Sequence, residues 1–198
     1  MSAYRTKTFS AAQLEVTDAL KAATATAVAT SAFTSGDLVV STLDLPRSTT
    51  LTRSLSTGSY TLDPYTITGR RGGSVATELI TPATADGGDT LSGLVIFDGI
   101  TTIDVPGQVN TSGAHSFGVQ DIGAPKGDAF SGIELHADGD LSVQYGEGSG
   151  APTDVIPVLI ANRAYYEIAP TRIVTKGAST GGATGDTTVA TTVYLVGP

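Results

Sequence analysis

Residues 65–79 read YTITGRRGGSVATEL, one of two stretches with the pattern of a β-hairpin. Runs of threonine, isoleucine and valine flank a long glycine-rich loop, a pattern typical of two β-strands joined as a hairpin. The clearer hairpin pattern is IELHADGDLSVQY at residues 133–145, which alternates apolar and polar side chains on either side of Asp138 and Gly139. Because Asp-Gly supplies the positive φ angles of a two-residue turn, this stretch predicts a second hairpin with one face toward the core.

The same pattern continues along the chain from Leu38 onward, where short apolar runs alternate with Gly, Pro and Asp. We therefore expect an all-β fold, a β-sandwich or β-barrel-like domain of short antiparallel strands over residues 37–198, closed by a strand at 186–196. Residues 1–36 differ, because alanine and threonine dominate between positions 10 and 33. This part predicts an N-terminal arm that is either part helical or an extended segment ordered by a partner.

The composition bounds what the chain can do. It has 198 residues, of which 15% are charged, with 24 glycines and no cysteine. The absence of cysteine excludes a disulfide framework, a thiolate metal site and a cysteine nucleophile. No apolar run approaches the ~20 residues that cross a bilayer, and no secretory signal is visible, so we expect no membrane partner.

Charge is segregated along the sequence rather than spread evenly. Residues 1–71 carry a net charge of +2, residues 72–162 a net charge of −11, and the rest +1. An acidic middle of this strength repels phosphate, so direct binding of nucleic acid is not expected.

Catalytic signatures are sparse. Both histidines, His115 and His136, fall in predicted strands, where a solvent-facing or hydrogen-bonded role is expected. No nucleophile-elbow or phosphate-loop pattern occurs in the required context. The pairs Asp86/Asp89 and Asp138/Asp140 are interpreted as turn residues rather than calcium ligands, because neither matches a calcium loop. We expect no enzyme activity, no cofactor and no metal.

Four stretches resemble the β-rich virion proteins of tailed bacteriophages. They are DLPRSTTLTRS from Asp44, YTITGRRGGSVATELIT from Tyr65, GGDTLSGLVIFDGITTIDVPG from Gly87 and SFGVQDIGAPKG from Ser116. The resemblance covers residues 44–130. It implies a non-enzymatic protein made in the host cytoplasm and assembled on the virion, most like a capsid decoration (cement) protein. Its implied partners are the major capsid protein and further copies of itself, as a homotrimer.

Within this hypothesis, the basic and aromatic residues near the N-terminus and four arginines would form the capsid-docking surface, with the acidic middle turned outward. These residues are Tyr4, Arg5, Lys7, Phe9, Arg47, Arg53, Arg70 and Arg71. Two alternatives stay open. One is a tail structural protein, either a tube subunit, a terminator or a tip component. The other is a carbohydrate- or receptor-binding module, for which the available aromatic side chains are Tyr145, Tyr165, Tyr166 and Phe117.

Overall fold

The computed structural model describes residues 4–9, 16–55, 60–85, 88–109, 112–124, 129–135, 139–145, 154–158, 164–166, 170–174 and 191–196. Fifteen β-strands and no helix occur in this part of the chain. The strands are β1 (Tyr4–Phe9), β2 (Val16–Ala25), β3 (Ser31–Thr34), β4 (Thr42–Leu55), β5 (Tyr65–Arg71), β6 (Ser74–Ile80), β7 (Thr90–Ser92), β8 (Phe97–Val105), β9 (Gly113–Gly123), β10 (Phe130–Leu135), β11 (Gly139–Gln144), β12 (Asp154–Val158), β13 (Ala164–Tyr166), β14 (Arg172–Val174) and β15 (Thr191–Val196). The all-β prediction is confirmed. No helix suited to crossing a bilayer is found among these described residues.

The hairpin predicted at residues 65–79 is confirmed, with a tighter turn than expected. Strands β5 and β6 pair in register from Tyr65 with Ile80 to Arg71 with Ser74. Gly72 and Gly73 alone form the turn, with φ angles of 56° and 80°. Two consecutive positive φ angles match the right-handed twist of the flanking strands and are inexpensive only for glycine. The glycines that suggested a long loop therefore make a two-residue turn.

The strands form two sheets. A four-stranded sheet has the order β1-β15-β10-β13, and an eleven-stranded antiparallel sheet has the path β12-β11-β14-β9-β4-β8-β5-β6. In addition, β2 pairs with β9, β3 with β8 and β7 with β4. The strands at the two ends of the path, β12 and β6, do not pair with each other in the described structure, so the sheet is open and the barrel alternative is wrong.

The large sheet folds over on itself to make a sandwich-like core. In a flat sheet, β5 and β9 would lie about 14 Å apart, because β8 and β4 separate them. Instead, the ring centroids of Tyr65 on β5 and Phe117 on β9 are 6.0 Å apart. The bend lies in β4, where the pairing register shifts on both sides of Arg47. A bulge beside Pro46 is a normal way for one strand to turn a corner and serve two layers.

The helical alternative for the N-terminal arm is wrong where the structure describes it. Val16–Ala25 and Ser31–Thr34 are strands, paired with β9 and β8. Leu20 is fully buried in the main core. Threonine and valine favour extended backbone, and here the pairing partners decide between two locally acceptable conformations. The predicted boundary at residues 36 and 37 falls in the connection from β3 to β4, and both of these strands pair with β8.

The hairpin predicted at residues 133–145 is wrong. Strand β10 pairs with β13 and β15 in the small sheet, whereas β11 pairs with β12 and β14 in the large sheet. An alternating strand buries its apolar face equally well against any suitable neighbour, so alternation does not identify the partner. Asp138 lies outside the described residues.

Candidate functional site

The structure separates the eight residues predicted to dock on a capsid. Tyr4, Arg5, Lys7 and Phe9 lie in β1, which pairs with the C-terminal strand β15, and Lys7 is exposed. The four arginines do not form one basic surface, because Arg47 and Arg53 are buried, Arg71 is half-buried and Arg70 is exposed. The prediction is therefore corrected for Arg47 and Arg53.

The side chain of Arg53 is completely buried and makes structural contacts inside the protein. Its Nε donates to Oδ1 of Asp89 at 2.7 Å, and its Nη2 donates to the carbonyl of Thr84 at 2.9 Å and to Oδ2 of Asp89. The guanidinium also lies over the ring of Tyr60, 4.9 Å from its centroid. These contacts join β4 to the segment that contains residues 84–89, and they use one carboxylate of the Asp86/Asp89 pair in an ion pair.

Arg47 is buried at the bend of β4. Its Nε donates to the carbonyl of Gln120 on β9 at 2.9 Å. The side chain therefore helps to hold the corner of the sandwich together and is unavailable to another protein.

Three connections meet at one end of the sandwich and expose apolar side chains there. Val28, Leu62 and Val109 are 71%, 49% and 73% exposed, and we call them the tip surface. A depression of about 450 Å³ lies beside them, lined by residues that include Pro64 and Pro106. Large apolar side chains grouped on otherwise polar loops are typical of a surface that contacts another macromolecule.

Gln108 holds these three connections together from below. Its backbone N–H donates to the carbonyl of Ala27 at 2.7 Å. Its side-chain Oε1 accepts from the backbone N–H of Thr61 at 3.0 Å, and its Nε2 donates to the carbonyl of Pro106 at 3.1 Å. Because this amide is buried and both its oxygen and its nitrogen are hydrogen-bonded, the three connections are fixed relative to one another.

An aromatic cluster supports the tip surface from within. His115 on β9 packs against Phe33, Tyr65 and Phe117, with ring centroids 5.7 to 6.3 Å away. Burial raises the pKa of Tyr65 to about 12, and Nε2 of Gln108 donates to its hydroxyl at 3.4 Å. The solvent-facing role expected for His115 is wrong, because the ring is buried and neither of its nitrogens has a hydrogen-bond partner. His136 lies outside the described residues.

The burial of His115 predicts a loss of stability in mild acid. Desolvation lowers the pKa of His115 from 6.5 to about 4. Between these two pH values the unfolded chain binds a proton at His115 that the folded protein does not bind. The free energy of unfolding therefore has its full value above pH 6.5 and falls as the pH decreases towards 4. The expected contribution is about 3 kcal/mol over this interval.

Urea unfolding at pH 7 and pH 4, for the natural protein and for His115→Phe, measures this contribution. The comparison is needed because burial also raises the pKa of Glu78, which contributes a slope of opposite sign in both proteins. His115→Phe should lose less stability between the two pH values than the natural protein. Equal losses would show that His115 does not cause the acid sensitivity.

The aromatic residues considered for a sugar-binding site differ in exposure. Phe117 is buried in the core, so it is unavailable as a sugar platform, while Tyr145 is exposed. No cluster of three or more potential metal ligands occurs among the described residues. The side chains of Tyr165 and Tyr166 are not among those that the structure describes.

Sequence reasoning missed the tip surface, although a signal was present. Val28, Leu62 and Val109 stand in segments otherwise rich in Ala, Thr, Asp, Pro and Gly. A large apolar residue in a turn segment does not belong to the alternating pattern by which the neighbouring strand faces the core. Such a residue is therefore a candidate for contact with another molecule.

No protein-family model, no curated protein and no solved structure matches the chain.

Proposed function

We propose that this protein is a structural component of a tailed-phage virion, a capsid decoration protein that binds the outer surface of the major capsid protein. The virion assignment rests on the resemblance of residues 44–130. The observation that carries the docking role is the tip surface, in which Val28, Leu62 and Val109 are presented on loops fixed by Gln108. Rigid apolar side chains lose little entropy on binding, so they suit contact with a regular protein lattice.

A cement protein must contact two neighbours at once, and the fold offers two separate ends. Strand β5 starts beside the tip surface at Tyr65 and ends at Arg71, so its seven residues span about 20 Å. At the far end, Arg70 is exposed and borders a second depression of about 360 Å³ that includes Ser41 and Gly99. We assign Arg70 to a second, polar contact there. Two linked contacts resist separation far better than either one alone.

The docking role predicts that a charge in the tip surface weakens capsid binding. Val109→Asp and Val28→Asp should each lower the affinity at least about thirtyfold, the effect of losing a central contact worth ~2 kcal/mol. Co-sedimentation with capsids assembled from the major capsid protein of the same phage measures this affinity. Leu94→Asp is the control, because Leu94 is 49% exposed, as much as Leu62, but lies between β7 and β8 and lines neither depression.

The natural protein and the Leu94→Asp variant should bind the capsids alike. Failure of the natural protein to sediment with them would refute the capsid proposal. Binding to purified tails would then support the tail alternative, and binding to glycans the receptor-binding alternative. Capsid binding that Val109→Asp and Val28→Asp leave intact would remove the tip surface from the docking role.

A further inference from the structure

Strand β6 is an edge of the large sheet in the part of the chain that the structure describes. It pairs with β5 along one side, and no described residue pairs with its other side. The two-residue turn makes Arg71 and Ser74 a hydrogen-bonded pair, so the even-numbered residues of β6 bond to β5. The backbone N–H and C=O groups of Val75, Thr77 and Leu79 consequently point outward, away from β5.

The outer face of β6 also lacks the devices that keep edge strands apart. Val75 and Leu79 are 77% and 62% exposed, and Thr77 between them is exposed. The strand contains no proline or lysine. Its one charged residue, Glu78, turns inward and accepts hydrogen bonds from the backbone amides of Leu94 and Val95. Native proteins usually protect such an edge with an outward charge, a proline or a bulge.

A row of four threonines ends at this edge. Thr34 on β3 pairs with Thr102 on β8, Thr102 with Thr68 on β5, and Thr68 with Thr77 on β6. None of the four is buried. The row therefore crosses the surface of one layer and reaches the open edge at the middle residue of β6.

We propose that β6 pairs with β6 of a second copy of this chain, antiparallel, about a twofold axis through Thr77. In this register Thr77 lies opposite Thr77 of the second copy, and Val75 lies opposite Leu79. The residues brought into hydrogen-bonded positions are the same three whose backbone groups are free at the edge. The strand is thus complementary to itself in hydrogen bonding and in its apolar side chains.

The register also continues the row of threonines across the interface between the two copies of β6. The threonine row of one copy continues into that of the other through the pair at Thr77, and no like charges meet on the outer face. Apolar and Thr-Thr cross-strand pairs each add a few tenths of a kcal/mol or more to strand pairing. The pairing uses a seven-residue strand, which buries less than the ~1,200 Å² of a stable interface, so we expect a reversible dimer at micromolar or higher concentration.

Cysteine cross-linking tests the register directly, because the natural chain has no cysteine. Opposed residues of a hydrogen-bonded antiparallel pair have Cα atoms about 5.5 Å apart, within disulfide range. Thr77→Cys should therefore form a covalent dimer under mild oxidation. Thr68→Cys, on the same row but one strand further in, should stay monomeric, because its two copies would lie about 14 Å apart.

Charge substitutions at the interface between the two copies of β6 provide the second test. Val75→Lys with Leu79→Lys places like charges opposite each other and should abolish the dimer in sedimentation velocity. Val75→Lys with Leu79→Glu places opposite charges together and should restore it. Circular dichroism should show that both variants are folded, since these side chains are exposed in the monomer.

This inference concerns the purified protein and does not depend on capsid binding. A natural protein that stays monomeric up to about 1 mM would overturn it. So would a homotrimer, the state implied by the sequence resemblance, that Val75→Lys with Leu79→Lys leaves intact. Equal cross-linking of Thr68→Cys and Thr77→Cys would also contradict the proposed register.

Discussion

Gly118→Val is expected to destabilise the protein by about 3 kcal/mol or more. A Cβ atom at position 118 of β9 would lie 2.5 Å from the backbone Cα and carbonyl carbon of Thr17 on β2. Both atoms belong to the main chain, so no rotation of a side chain can relieve the overlap. Either β2 leaves β9, which removes Leu20 from the core, or both strands distort, and the cost lies at the upper end of overpacking energies.

Thermal unfolding followed by circular dichroism measures this cost. For a chain of this size, 3 kcal/mol corresponds to a fall in Tm of about 6–12 °C. Hydrogen exchange should localise the damage to residues 16–25. Gly36→Ala is the control, since its new methyl group would meet only Oγ1 of Thr34, at 3.9 Å. A Gly118→Val protein that melts within about 2 °C of the natural one would show that β2 does not approach β9 as described.

The close approach at Gly118 illustrates what a single sequence can and cannot reveal about this fold. The all-β class and the hairpin of β5 and β6 were predictable, because alternation and the Gly72-Gly73 turn are local properties. The pairing of β2 with β9 joins residues about a hundred positions apart. Nothing near Val16 specifies that partner, and the same extended preference was compatible with a free arm.

The candidate functional residues likewise depend on long-range contacts that the local sequence does not reveal. Arg53 was predicted to be exposed because arginine usually is, but it is buried against Asp89, which lies 36 positions further along the chain. Nothing in the sequence marks Gln108 as a structural residue, since a glutamine after a proline and a glycine is typical of an ordinary turn. Its role appears only when the connections containing Ala27, Thr61 and Pro106 converge on it.

Arg172 and Asp121 form the other contact for which we expect a large effect. The two side chains are each 5% exposed, and Nε of Arg172 donates to Oδ2 of Asp121 at 2.8 Å. Nη1 of Arg172 also donates to the carbonyl of Leu94 at 2.8 Å, while the amide of Asp121 donates to Oγ of Ser48 at 3.0 Å. The pair therefore joins β14, β9, β4 and the segment before β8.

Arg172→Met should cost about 3–5 kcal/mol, because it removes a guanidinium that pairs with the buried carboxylate of Asp121. The loss of stability should be greatest where β14 meets β9, since two positions pair there among the described residues, Arg172 with Gly123 and Ile173 with Ile122. Urea unfolding gives the energy. Hydrogen exchange should show β11, β12 and β14 losing protection before β5 and β6.

A double variant separates the buried charge from the lost contacts. Arg172→Met combined with Asp121→Leu removes both charges, so it should be more stable than Arg172→Met alone, because the buried carboxylate is removed together with the guanidinium. Arg70→Met is the matched control at an exposed arginine and should change stability by less than about 0.5 kcal/mol. If the double variant is no more stable than Arg172→Met, the cost comes from the bond to Leu94 and from packing, and the ion pair is not what holds β14 to β9.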